Sequence, residues 1–328
     1  MTQSIEAKVL NYAGPAAMIK VFGKRISIVA VFCFLNILYC DLKPQKNSEG
    51  FEMKKILSEL KQRRDDLKLM KRIEHGIKNR EFKMHLQFIV DNKTKKIVSA
   101  EALSRWERAD GEIVPPVKYI GAMERSGIIS KLDYYMFEKA CRKLSEWKET
   151  EFDNLTLSCN FTRITISEKD FAEKIIEIAE KYVFDRRKLL IEITEDSMEK
   201  NLEIAMKNIK QVKERGFRIA LDDIGRGYTS LSNLCEYPID VVKMDRDILL
   251  LTDKERGKKL FSGIISLAHY LNLSVVCEGV ETEEQNLLVS ESACDYIQGW
   301  YYCKAMPENT ANEFALAYMQ TYFKGEPA

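Results

Sequence analysis

Apolar residues along this chain follow two rhythms. Met53, Ile56, Leu60, Leu67, Met70, Ile73 and Ile77 recur at three- or four-residue steps, with Arg63 interrupting the seam. That spacing predicts an amphipathic helix over 53–85. Its stripe is read as packing on the domain that follows, in preference to a short coiled coil joining an upstream element or a second subunit. From Leu86 onward, short apolar runs alternate with helical patterns at 116–126, 131–148, 168–182, 199–215, 254–272 and 281–290. Strand-then-helix repetition of this length predicts an α/β fold, a TIM-like (β/α)8 barrel over 86–320. The polar DNKTKK at 91–96 separates HLQFIV from KIVSAEAL, which reads as an opening hairpin and places one strand antiparallel to the rest.

Residues 1–52 have a different texture. Ile26–Cys40 is almost wholly apolar and follows Lys24 and Arg25. It is shorter than the ~20 residues a spanning helix needs. It also holds Asn36 and lacks a small-residue cleavage site. A buried strand with its continuation is preferred to a membrane anchor or an uncleaved signal. The polar stretch 41–52, with Pro44 and Gly50, reads as a linker.

Composition narrows the chemistry. The 328 residues are 45% hydrophobic and 31% charged, the profile of a soluble globular protein, and the expected location is cytoplasmic. With 51 Lys and Arg against 50 Asp and Glu, the chain carries no excess charge for long DNA or RNA. Eight cysteines form no C-x-x-C pair and several sit in apolar runs, so they read as small buried residues. Only three histidines occur, at 75, 85 and 269, none at ligand spacing. Any metal must then be held mainly by carboxylates, which favours a hard ion such as Mg²⁺ or Mn²⁺.

The residues that close the apolar runs carry the functional signal. KIVSA is followed by Glu101, LTLSC by Asn160, KLLI by Glu192, and RIAL by Asp222 and Asp223. DVV is followed by Lys243, SVVC by Glu278, and CDYI by Gln298. In a barrel these positions meet on the rim at the C-terminal ends of the strands. A single strand-end acid is ordinarily a helix cap or a solvated loop residue, as Asp222, Asp223 and Glu281 would be in isolation, and Lys243 taken alone reads as a surface ion-pair partner. Seven successive strands ending this way exceed what capping requires. Five carboxylates against one lysine also leave negative charge that bound cations would neutralise.

In order along the chain, AEALSRW, LSCNF, LLIEITED, IALDDIGRGYTSL, PIDVVKMDRD, CEGVET and QGWYY resemble the successive blocks of the EAL-domain cyclic-di-GMP phosphodiesterases. The resemblance covers roughly 53–307. It implies that Glu101, Asn160, Glu192 and Asp222 hold a first metal and that Asp223, with Asp222 bridging, holds a second. Two Mg²⁺ or Mn²⁺ ions would clamp the scissile phosphate and supply hydroxide, and Ca²⁺ would inhibit. By the same resemblance Glu278 is the essential glutamate, Lys243 stabilises phosphate charge or positions water, and Glu281 and Gln298 hold hydrated ligands. Gln87 matches a guanine contact, although Phe88 replaces the usual following proline. Leu103 packs on the ligand, Arg105 pairs with a phosphate and Asp245 reads a guanine edge. Core packing is the preferred reading of Trp300 and Tyr301, over stacking on a base.

The DDIGRGYTS loop departs from the family at Ile224 and Arg226, and CKAMP has Ala305 where the family has an earlier proline. Glu195 matches the glutamate that tethers this loop, and Arg226 is read as solvent-facing. The implied assembly is a homodimer through the helix around 228–237. Two alternatives to an active enzyme forming linear pGpG stay open: a catalytically weak or inactive cyclic-di-GMP receptor, and a barrel acting on another phosphodiester. Residues 1–52 hold no GGDEF-type motif and read as a remnant, a small sensor piece or an anchor.

Overall fold

A computed structural model describes residues 48–194, 202–225 and 231–323. The chain divides into two compact units, Met1–Lys68 and Leu69–Ala328. The helix Ser48–Lys78 crosses that division. In the second unit Ile73 is fully buried and Leu69, Met70 and Ile77 pack against the core, whereas Leu67, just before it, is exposed. The apolar segment 26–40 lies outside the described residues. Among the described residues no helix is long and apolar enough to cross a membrane.

The second unit is a closed barrel. Its strands are β1 (Phe82–Asp91), β2 (Ile97–Glu107), β3 (Ile113–Val114), β4 (Thr156–Phe161), β5 (Leu189–Thr194), β6 (Arg218–Ile224), β7 (Val241–Met244), β8 (Ser274–Cys277), β9 (Tyr296–Gln298) and β10 (Met306–Pro307). Eight of them form the ring in the order β1-β2-β4-β5-β6-β7-β8-β9, closed by pairing of β9 with β1. The two-residue β3 and β10 are appended to β2 and β1. β1 runs antiparallel to both ring neighbours and the other pairs in the ring are parallel. The hairpin read at DNKTKK therefore produces the single reversed strand expected of it.

Helices cover the outside of the ring, among them Ile129–Trp147, Phe171–Ala179, Leu202–Glu214, Glu255–Tyr270 and Glu308–Phe323. Each sends an apolar stripe onto the sheet. Phe137, Ala140 and Leu144 of the helix Ile129–Trp147 are buried, and so are Phe261, Ile265 and Ala268 of the helix Glu255–Tyr270. Phe88 points outward from β1 and stacks on Phe314 of the last helix, with centroids 6.0 Å apart. An aromatic thus fills the position after Gln87 where the family has a proline.

Where the first helix meets the barrel, Phe82 stacks on Trp106 at 5.4 Å and Tyr119 packs edge-on to Phe82 at 5.3 Å. Trp106 Nε1 donates to Glu81 Oε2 at 2.8 Å. Gly76 lets the helix approach this cluster, since a Cβ there would stand 2.8 Å from Trp106 Nε1. Gly263, in the middle of the helix Glu255–Tyr270, has open space around it. Alanine favours a helix over glycine by up to about 1 kcal/mol, while overpacking costs about 1–3 kcal/mol. Gly263→Ala is therefore expected to raise the urea midpoint and Gly76→Ala to lower it by about 1–2 kcal/mol of stability. A stabilised Gly76→Ala would contradict the packing described here.

Candidate active site

Strand alternation explains why side chains from eight strands meet. Inside the ring, Ile89, Leu190, Ala220, Val241 and Val276 form a small buried cluster with Tyr296 against it. Side chains two residues apart share one face of a strand. One such step toward the C-terminal rim from each of these residues leads to Gln87, Glu192, Asp222, Lys243, Glu278 and Gln298. The same step from Ser99 and Ser158 leads to Glu101 and Asn160. An apolar layer therefore underlies a polar one. β2 runs on to Glu107, so Glu101 lies inside the strand and does not end it; its pairing with β4 stops at Ala102, which still leaves Glu101 at the rim of the ring.

Lys243 is the centre of the polar layer. Only 2% exposed, its Nζ lies 2.7 Å from Glu278 Oε1, 3.0 Å from Glu192 Oε1, 3.2 Å from Glu101 Oε2 and 3.6 Å from Asp222 Oδ1. The surface ion-pair alternative does not survive this burial. Asn160 Nδ2 donates to Glu101 Oε1 at 2.7 Å, and Gln298 Nε2 donates to Glu101 Oε2 at 2.7 Å. Gln87, paired directly with Glu101 across the hairpin, accepts a longer contact from Gln298 Nε2 at 3.4 Å and donates to the Cys303 carbonyl at 3.2 Å.

Asp222 and Asp223 both belong to β6, and simple alternation would send them to opposite faces. The β6–β7 register shifts between Leu221 and Ile224, and Asp223 takes a left-handed φ of 62°. A bulge of this kind re-aims side chains beside active sites. Asp222 Oδ1 accepts the Asp223 N–H at 2.9 Å.

One ammonium does not balance these carboxylates. Burial pushes Glu192 well above the ordinary carboxylate range, and the Glu101 charge pushes it further. Burial likewise raises Asp222, and raises Glu278 to about 8 against the opposing charge of Lys243. Glu101 moves the other way: burial would raise it, but Lys243 and the donors from Gln298 and Asn160 hold it below its usual value. The lysine is held well above its own range, the surrounding acids outweighing burial. Glu192 Oε2 and Gln298 Oε1 are buried with no hydrogen-bond partner among the described residues. With the acids gathered on Lys243, no group of three described His, Cys, Asp or Glu side chains is arranged around a common metal position.

A cavity of about 250 Å³ opens beside the cage, lined in part by Gln87, Glu101, Leu103, Glu278, Glu281, Gln298 and Trp300. Trp300 and Tyr301 are 59% and 41% exposed, which overturns the expectation that they pack in the core. They follow Gly299, where a Cβ would overlap the Val280 carbonyl at 1.9 Å; the missing side chain lets the two rim loops touch. The indole of Trp300 lies under the Lys304 ammonium at 5.0 Å. Glu281 is held by Arg246, Nη1 to Oε1 at 2.6 Å, and is not a helix cap: Thr282 caps the next helix. Asp245 caps the helix Arg246–Leu250 by accepting the Asp247 N–H at 2.7 Å. Arg105 donates to the Ser104 carbonyl at 2.8 Å, and neither it nor Asp245 lines the cavity. Glu195 and Arg226 fall outside the described residues. Arg246 was missed in the sequence, where its signal was a cation one residue beyond a rim strand's cap.

The order of these residues has counterparts elsewhere. "Signaling protein YkoW" of Bacillus subtilis (strain 168) is 30% identical over 245 residues, 74% of this chain and 30% of that protein. "Cyclic di-GMP phosphodiesterase RocR" of Pseudomonas aeruginosa is 28% identical over 240 residues, 72% of this chain and 60% of that protein. This chain thus spans about a third to three fifths of these curated relatives. Among solved structures, an EAL domain protein from Listeria monocytogenes aligns with TM-score 0.66 and 27% identity over 74% of this chain and 95% of the other. One described as a PaMucR phosphodiesterase, c-di-GMP complex, supports the fold with TM-score 0.70 and 24% identity over 74% of this chain and 99% of the other. The family model described as EAL domain matches residues 70–305, from the end of the first helix past the last polar strand end, and the chain belongs to that family.

Proposed function

We propose that this chain is a metal-dependent phosphodiesterase that hydrolyses cyclic-di-GMP to linear pGpG. The observation that carries the reading is the polar layer itself, in which buried Lys243 gathers Glu101, Glu192, Asp222 and Glu278 within 3.6 Å beside an open cavity. The names of curated relatives such as RocR add cyclic-di-GMP as the substrate.

The residues present fit a pair of hard divalent cations, Mg²⁺ or Mn²⁺. Glu101, Asn160, Glu192, Asp222 and Asp223 offer oxygen donors of the type such ions take. Four carboxylates around the one Lys243 ammonium leave the site short of positive charge. Bound there, the cations would supply Lewis-acid stabilisation of the phosphate and a more acidic water. Ca²⁺, with longer and looser coordination, is expected to inhibit.

The chain's own groups do the remaining work. Hydrolysis adds water across one ring ester: HO forms a bond to phosphorus, the P–O3′ bond breaks, and the 3′-oxygen gains the proton. Glu278, held by Lys243 at 2.7 Å, takes the water proton, and Lys243 offsets charge growing on the phosphate oxygens. Gln298 and Asn160 fix the Glu101 carboxylate through their amides. The cavity has room for a nucleobase between Gln87, Leu103 and Trp300. Arg105 and Asp245 do not line the cavity and would contact the dinucleotide only once it is bound. Glu195 would steady the loop after Asp223, and the helix Leu231–Glu236 is the segment through which a homodimer would form.

Incubation of purified chain with cyclic-di-GMP and Mn²⁺, followed by chromatography, is expected to yield pGpG. EDTA or Glu101→Ala should abolish the product. Binding of cyclic-di-GMP without any product would support the receptor reading instead. Arg246→Gln releases Glu281 without touching the cage, and is expected to lower turnover about tenfold or more with little change in melting temperature. Unchanged turnover would remove Glu281 from the functional rim. Lys243→Met leaves the acids without their resident cation and should cost about 3–5 kcal/mol in EDTA, partly recovered by Mn²⁺. Equal melting temperatures of this variant and wild type in EDTA would contradict the charge account.

A further inference from the structure

A second cavity of the barrel unit is lined by none of the rim residues. It encloses about 330 Å³. Arg80, in the turn after the first helix, and Lys83, on β1, form one side. Tyr135, Glu138, Lys139 and Arg142 of the helix Ile129–Trp147 form the other, with Tyr182 closing it.

Its charge is one-sided. Four cations and one carboxylate line it, and Glu138 is already engaged by the Lys181 ammonium at 3.7 Å and the Tyr182 hydroxyl at 3.4 Å. Just outside, Glu146 and Glu308 lie 3.4 Å from Arg142 and 3.9 Å from Lys139 and share Lys143, so that with Lys181 six cations face three carboxylates. About three positive charges therefore remain over a small concavity. Among the described residues, the side chains of Arg80 and Lys83 make no ion pair with a carboxylate. Lys139 sits over the Tyr135 ring at 5.3 Å, its pKa lowered by burial and by Arg142, Lys83 and Lys143 despite Glu308. Gathering like charges is unfavourable unless an anion joins them, and concave, low-dielectric walls focus the resulting field.

We propose that this cavity binds a pyrophosphate group, free or carried by a nucleoside polyphosphate. Two arginine forks match phosphate oxygens in pairs, two lysines add point charges, and the Tyr135 hydroxyl offers a further donor. The volume suits two linked phosphoryl groups, and the lining differs from that of the rim cavity throughout. Its occupant would tie Arg80, at the entry to β1, to the helix Ile129–Trp147.

Calorimetry on the full chain in EDTA, with pyrophosphate, ADP, GDP and orthophosphate as probes, tests this directly. One pyrophosphate is expected to bind per chain, more tightly than orthophosphate, with a raised melting temperature and unreduced binding in the presence of cyclic-di-GMP. Lys83→Gln combined with Arg142→Gln should weaken it at least tenfold while leaving the circular dichroism spectrum and cyclic-di-GMP hydrolysis unchanged. Equal affinity for pyrophosphate and the nucleotides would identify the free anion as sufficient, and tighter ADP or GDP would identify a nucleotide; both support the site. Absence of saturable binding up to millimolar pyrophosphate, or binding indifferent to the double substitution, would overturn it.

Discussion

The buried Lys243 ammonium organises the polar interior of the barrel. Lys243 lies within 3.6 Å of four carboxylates contributed by β2, β5, β6 and the end of β8, in a largely buried layer. Attraction between unit charges rises steeply as the local dielectric falls, and so does repulsion among the acids. The lysine holds the four together, but one positive charge does not neutralise them. Burial first, and the neighbouring acids after it, raise Glu192, Asp222 and Glu278. Removing the water that would screen these groups is costly, so the arrangement is weak evidence for stability and stronger evidence for function.

The rest of the fold serves this layer. Closing the ring with a reversed β1 brings Gln87 directly opposite Glu101, so an amide chain from Cys303 through Gln87 and Gln298 reaches the cage. The bulge at Asp223 breaks the strict alternation that would send Asp222 and Asp223 to opposite faces. Gly299 lets the 279–281 loop and the Trp300 loop meet at the cavity mouth, and Tyr301 N–H donates to the Val280 carbonyl at 3.0 Å. The outer helices carry the apolar burial that holds this polar interior in place.

Much of this was legible in the sequence because barrel alternation is rigid. Each strand is a short apolar run, and a charged or amide residue at its end can only point inward or outward. That made the eight-stranded ring, the reversed first strand and the gathering of Glu101, Asn160, Glu192, Asp222, Lys243, Glu278 and Gln298 readable. Details set by pairing partners were not. The extension of β2 to Glu107 depends on β1 continuing opposite it. The short helix Arg246–Leu250 and the final helix Glu308–Phe323 were not read, the former because five residues are too few to show a period. Trp300 looked like core because aromatic residues after a strand usually are; close approach of two loops at Gly299 keeps it outside. The Arg246–Glu281 contact joins residues 35 positions apart, so the position of Arg246 beside a rim strand gave no sign of its partner.

The central proposal is that the polar layer gathered around Lys243 takes up divalent cations. Direct titration of the purified chain with Mn²⁺, followed by calorimetry in the absence of any nucleotide, tests it most directly. The account predicts saturable binding of two ions per chain, reduced by Asp222→Asn and by Glu192→Gln. Absence of saturable binding in the wild type, or binding that both substitutions leave unchanged, would contradict it.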